Sequence, residues 1–103
     1  MFAHNVTVHL KSNMHSDNNR TLENDVLPLL RKQKGLKDEI SLSNLGSTDA
    51  ISISRWDSRA NADAYNINHY PEVLRTLAKM IDGMPKVNTF ETVTSTVHSL
   101  VAA

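Results

Sequence analysis

The stretch Ile51-Ser-Ile-Ser-Arg-Trp-Asp-Ser58 constrains the fold most, because it reads as a buried strand that ends in a tryptophan and passes directly into a helix. Ile51 and Ile53 alternate with Ser52 and Ser54, the two-residue period of a strand. Asp57 and Ser58 are both able to accept hydrogen bonds from the first free N–H groups of the helix that follows. The single Trp, both Tyr and one of the five His fall between Trp56 and Tyr70. In a chain with 5% aromatic residues that concentration suggests the wall of a pocket.

Around this stretch the pattern gives a complete order of elements. Residues 2 to 11 read as a first strand, with Phe2, His4, Val6, Val8 and Leu10 on one face and Ala3, Asn5, Thr7, His9 and Lys11 on the other. A polar loop, Ser12 to Asn19, offers helix caps at Ser16, Asp17 and Asn18. A helix is expected from about Asn19 to Lys34, with Leu22, Val26, Leu29, Leu30 and Gln33 as one stripe. Pro28 lies inside it, removes one N–H and crowds the carbonyl of Asn24, so a kink is expected. Gly35 supplies a left-handed cap. Leu36 to Asn44 is a second strand, with Leu36, Ile40 and Leu42 pointing one way and Lys37, Glu39, Ser41 and Ser43 the other. Leu45 to Asp49 is a hairpin-like turn, and Ala50 to Trp56 the third strand. Short helices follow at Ser58 to Asn66 and Pro71 to Ile81, the second ended by Gly83 and Pro85. Val87 to Val97, rich in Thr and Val, is expected as the last and longest strand.

The order is β-α-β-β-α-α-β, an α+β ferredoxin-like arrangement over residues 1–103 as a single domain, with its second helix broken in two. Helices would cover one face of a four-stranded antiparallel sheet. The other face also carries apolar residues, which a second copy of the sheet would hide, so a homodimer is expected.

Composition narrows the function. Lys plus Arg and Asp plus Glu number 11 each, so no electrostatic footprint for nucleic acid or an anionic membrane surface is present. No apolar run is long enough to span a bilayer, and no signal peptide is visible. The absence of cysteine excludes thiol catalysis and thiolate metal sites and fits a cytoplasmic location. The three glycines form no phosphate-binding loop, and no helix carries a His-x-x-x-His or Glu-x-x-His pair. No metal, nucleotide or flavin cofactor is expected.

The chain resembles the antibiotic biosynthesis monooxygenase domain family, whose members are dimeric α+β barrels. The resemblance rests on Val26-Leu-Pro-Leu-Leu-Arg-Lys-Gln-Lys-Gly-Leu36, Ile53-Ser-Arg-Trp-Asp-Ser58, Tyr65, Tyr70-Pro-Glu-Val-Leu74 and Thr89-Phe-Glu-Thr-Val-Thr-Ser-Thr-Val-His98, nearly the whole chain. It implies a cofactor-independent oxygenase acting with O2 on a small aromatic, hydroquinone-like or anthrone-like compound. Similar oxygenases use an Asn on the first strand, a Trp at the third and an aromatic residue on the next helix. Asn5, Trp56 and Tyr65 match these positions.

Such chemistry needs a bound ring, a base, and donors to the resulting oxyanion. Asn5 would donate through its amide, Tyr65 would donate or relay a proton, and Trp56 would wall the ring. Each has a plainer reading: Trp56 as packing, Tyr65 as a lid residue with its hydroxyl in solvent, Asn5 on a solvent-facing strand side. Among the histidines, His15 reads as solvated and His4, alternating with apolar residues, as a satisfied core residue. His9 shares a face with Asn5 at roughly 13 Å. His69, four residues after Tyr65, is the preferred base. Two alternatives stay open: a non-catalytic dimeric module for a small hydrophobic molecule, and heme binding or cleavage. The heme-degrading branch places an axial His about ten residues after the helix aromatic, where this chain has Arg75, a residue unable to ligate iron.

Overall fold

The computed structural model describes residues 1–44, 46–93 and 96. Four strands, β1 (Phe2–His9), β2 (Leu36–Ser43), β3 (Asp49–Trp56) and β4 (Lys86–Glu91), form one antiparallel sheet in the order β2-β3-β1-β4. Between β1 and β2 lie α1 (His15–Thr21), a π-helical segment (Leu22–Val26) and α2 (Leu27–Arg31). Between β3 and β4 lie α3 (Arg59–Asn68), α4 (Tyr70–Leu77) and a 3-10 turn (Ala78–Met80). This is the expected ferredoxin-like α+β arrangement, with the second helix divided at His69.

The first helical region departs from the expectation in an instructive way. It starts at His15, ahead of Asn19, and ends at Arg31 rather than Lys34. Ser16, Asp17 and Asn18 are therefore inside the helix; Met14 occupies the cap position without a side-chain hydrogen bond, and Asn18 is buried. The disturbance expected from Pro28 is present as the π-helical segment just before it. Pro28 stands in the first turn of α2, where a missing N–H costs little, and the widened turn absorbs the break in the hydrogen-bond ladder. Gly35 ends the region at φ +85°, and a side chain there would strike Asp57 and Asn61.

The second strand holds a correction. Leu36 pairs with Trp56 and Asp38 with Arg55, so Lys37 is an extra residue in a bulge. That residue reverses the phase. Leu36 turns to the helices and packs in their core, whereas Ile40 and Leu42 turn to the opposite face. The three leucine and isoleucine side chains thus do not share a side. In β3 the expected alternation holds, but Ser52, Ser54 and Trp56 face the helices, while Ile51 and Ile53 join Ile40 and Leu42 on the open face.

Ser58 caps α3, accepting from the backbone N–H of Asn61 at 3.2 Å. Asp57 makes no second cap; its carboxylate accepts from the Asn61 side-chain amide at 2.8 Å. At the other end of the sheet, Leu10 makes only an isolated bridge to Ile81, so β1 ends at His9. β4 has six residues against eight in each other strand, and Thr92 and Val93 lie beyond it. It is not the longest strand, and the expected continuation to Val97, like His98, falls outside the described residues.

The core lies between sheet and helices. Leu22, Val26 and Leu30 meet Trp56, Ala62, Tyr65 and Val73. Leu10, Ala50 and Ile81 form a smaller cluster at the far end. The open face retains exposed apolar side chains: Ile40, Leu42 and Phe90 are each more than half exposed. No helix among the described residues is long and apolar enough to cross a membrane.

Candidate functional site

The sheet face under the helices carries more polarity than a core needs. His4 pairs in register with Ser54 and Val6 with Ser52, and Glu39 stands opposite Ser54 on the other side. These side chains, with Leu22, Val26, Tyr65, Tyr70, Val73 and Leu77, line a narrow cleft of about 50 Å³ between sheet and helices. Larger grooves lie at the surface, such as one of about 560 Å³ at Met14, Arg20 and Met80, where Arg20 is already paired with Asp17. The cleft differs in bringing titratable side chains together in apolar surroundings.

His4 is the centre of the cleft. It is 3% exposed, and its Nε2 bonds to Asn66 Oδ1 at 3.0 Å. An amide oxygen only accepts, so Nε2 carries the proton and the neutral ring keeps a lone pair on Nδ1. Burial holds the imidazole below the ordinary histidine pKa, and the bond to Asn66 only partly offsets this. Tyr65 and Tyr70 meet the ring edge-on, at centroid distances of 5.9 and 5.3 Å. Burial pushes both phenols up, so each remains a donor across the physiological range. The Tyr70 hydroxyl is buried without a hydrogen-bond partner among the described residues, an uncompensated donor in the cleft wall.

Trp56 is fully buried and stacks on Tyr65 at 5.1 Å. Its indole N–H donates to Ser54 Oγ at 2.9 Å, and Ser54 Oγ in turn donates to the His4 carbonyl at 3.4 Å. Trp56 therefore fixes Tyr65 and ties β3 to β1 behind the cleft. Glu39 forms part of the sheet-side wall; Ser41 Oγ donates to its Oε1 at 2.7 Å. Burial raises its carboxyl pKa, the hydroxyl of Ser41 lowers it, and the neighbouring Asp38 raises it further, with a net rise.

Of the residues expected at the site, Trp56, Tyr65 and His69 come together as a stack, with His69 at 6.4 Å from Tyr65. His69 is the hinge between α3 and α4 and does not line the cleft. Asn5 is placed elsewhere. It stands in register with Ile53 and Asn88 on the open face of the sheet, behind the cleft, and its Oδ1 is buried without a partner among the described residues. Among the described residues no three His, Asp or Glu side chains gather as a metal site.

A protein of unknown function from Nitrosomonas europaea matches this architecture with a TM-score of 0.79, at 16% identity over 95% of this chain and 94% of that one. A monooxygenase from Streptomyces coelicolor in complex with the ligand nanaomycin D matches with a TM-score of 0.78, at 14% identity over 95% and 92%. An antibiotic biosynthesis monooxygenase matches at 0.72, with 12% identity over 91% and 100%. The chain has the fold of the antibiotic biosynthesis monooxygenases. No family model matches the sequence, and neither does any curated protein sequence.

Within this monooxygenase fold, sequence reasoning missed His4, Tyr70 and Glu39 as cleft residues. His4 was masked by its apolar neighbours Phe2 and Val6, which mark its face as core. Glu39, Ser52 and Ser54 gave no sign of a site, because strand alternation alone does not say which face the helices cover. The available signal was the clash between His4 on a buried face and the serines paired beside it.

Proposed function

We propose that this chain is a cytoplasmic, homodimeric, cofactor-independent monooxygenase that oxidises a small hydroquinone-like or anthrone-like aromatic compound with O2. The observation that carries this reading is the buried, neutral His4 beside the partnerless hydroxyl of Tyr70 in an otherwise apolar cleft. A phenol or enol of the substrate satisfies both at once. Its oxygen accepts from Tyr70, and its proton passes to His4 Nδ1.

The resulting anion is electron-rich enough to give one electron to O2. Superoxide and the substrate radical then combine at a ring carbon to give a hydroperoxide. Loss of water from it leaves a new carbonyl, so each turnover consumes one substrate and one O2 and yields one quinone and one water. His4 returns its proton to the departing hydroxide. Tyr65, held by Trp56, donates to the developing oxyanion. His4 takes the role of base expected of His69, which supports Tyr65 from outside the cleft. Asn5 is assigned to the open face, where its unpartnered oxygen meets a second copy of the chain. That copy covers Ile40, Leu42, Ile51, Ile53 and Phe90.

The second reading, a binding module without turnover, is favoured by the small cleft, which Leu77 helps to fill. Oxygen uptake with chelated metals and a panel of hydroquinones and anthrones separates the two. Enzyme-dependent uptake at one O2 per substrate is expected; anaerobic binding of panel members without uptake would leave the module. A Soret band on hemin titration would instead revive heme binding.

A further inference from the structure

The cleft around His4 does not end at its sheet-side wall. Leu22 and Glu39 line both the cleft and a groove of about 400 Å³ outside it, between the first helical region and the β2 edge. That groove is completed by Asn19, Glu23, Leu27, Ser41 and Ser43. Leu22 begins the π-helical segment, so the partition between the two spaces is one apolar side chain on an irregular turn and one carboxylate. The cleft alone has room for O2 or the edge of a ring, whereas small-molecule sites are commonly several hundred Å³.

We propose that the substrate spans both spaces, its reacting ring in the cleft and a positively charged ammonium arm in the groove, and that Glu39 is the residue that selects this arm. The inference rests on the monooxygenase reading and names the substrate class it takes. Three observations converge on it. The Tyr70 hydroxyl, buried without a partner among the described residues, marks the inner end as a place that a ligand completes. The groove presents carboxylates, hydroxyls and an amide, and Lys or Arg is not among its lining residues. Lys37 and Arg31 line a second groove, on the Asp38 side, that Glu39 and Leu27 also border. Ser41 fixes Oε1 of Glu39 at 2.7 Å and leaves Oε2 for a ligand. A half-buried carboxylate attracts a cation and repels an anion more strongly than one in open water. An anionic arm would also strip the groove's acceptors of donors.

The test is anaerobic calorimetric titration, so that binding is read without oxidation, using a hydroquinone with an aminoethyl arm and the same ring with a carboxymethyl arm. The wild-type protein is expected to bind the ammonium compound about tenfold more tightly, and Glu39→Gln to reduce that preference to about threefold or less. Equal binding of the two by the wild type, or an unchanged preference in Glu39→Gln, would overturn the role of Glu39 and leave the cleft reading intact. Binding of neither compound would overturn both. Glu39→Lys, whose longer cation occupies the same wall, is expected to reverse the preference; failure to do so while the variant stays folded by circular dichroism counts against the proposal.

Discussion

The two faces of the sheet carry opposite chemistry, and not in the sense that a single folded chain in water would require. Under the helices, β2 and β3 present Glu39, Ser41, Ser52 and Ser54 beside His4 of β1. On the side without helices they present Ile40, Leu42, Ile51 and Ile53, with Phe90 of β4. A sheet covered on one face usually hides its apolar side and wets its polar one. Here the polar side faces the helices and builds a cleft, and the apolar side is left open within the single chain, the face that the proposed dimer would cover. The Arg55–Asp38 ion pair fits the same division. It lies on the open face, where the two charges pair with each other within the chain.

The largest effect is expected from breaking the open face. Ile53→Asp places an unpaired charge in the centre of the apolar patch and should weaken self-association by about 3 kcal/mol or more, over a hundredfold. Light scattering should then show a monomer under conditions where the wild type is a dimer. A wild type that is already monomeric at micromolar concentration would break the comparison at its root.

On the helix side, Trp56→Ala should cost about 3–5 kcal/mol of stability in urea unfolding, since it empties a fully buried site against Tyr65 and removes the donor to Ser54. A loss under about 1 kcal/mol would mean that the packing behind the cleft is not what holds it.

A smaller effect follows from His4. Its folded-state pKa is lowered, so the unfolded chain binds the extra proton first as pH falls. Stability from this site is complete above about pH 6.5 and declines below it, with a slope of at most about 1.4 kcal/mol per pH unit. Glu39, with its raised pKa, acts in the opposite sense: its contribution is present below about pH 4.5 and is lost as pH rises through its folded value. His4→Phe should flatten the decline just below pH 6.5, as measured by denaturant midpoints across pH; an unchanged profile would contradict a buried neutral imidazole. The smallest effect is that of Tyr70→Phe. It removes a buried hydroxyl that has no partner among the described residues, so it should leave the free protein unchanged or more stable by up to about 1 kcal/mol while weakening binding of a phenol.

The order of elements was legible in the sequence because strand and helix periods are strong over Phe2–His9, Asp49–Trp56 and Tyr70–Leu77. The phase of β2 was not, because a single extra residue at Lys37 carries Leu36 to the face opposite Ile40 and leaves no mark in the composition. Trp56 and Tyr65 could be brought to the site from sequence, since a strand end and the helix it feeds must meet. His4 and Glu39 could not, since which strand face the helices cover is a tertiary fact. His69 and Asn5 show the same limit from the other side: the first is near the cleft in sequence but sits at a helix junction, and the second is adjacent to His4 but points through the sheet.

Oxygen uptake by His4→Gln compared with His69→Gln, on a substrate that the wild type oxidises, tests the cleft most directly. If His4 is the base, His4→Gln should lose about a hundredfold or more in turnover while remaining folded and dimeric, and His69→Gln should stay within a few-fold of the wild type. Full activity in His4→Gln, or loss confined to His69→Gln, would contradict a catalytic cleft built around His4.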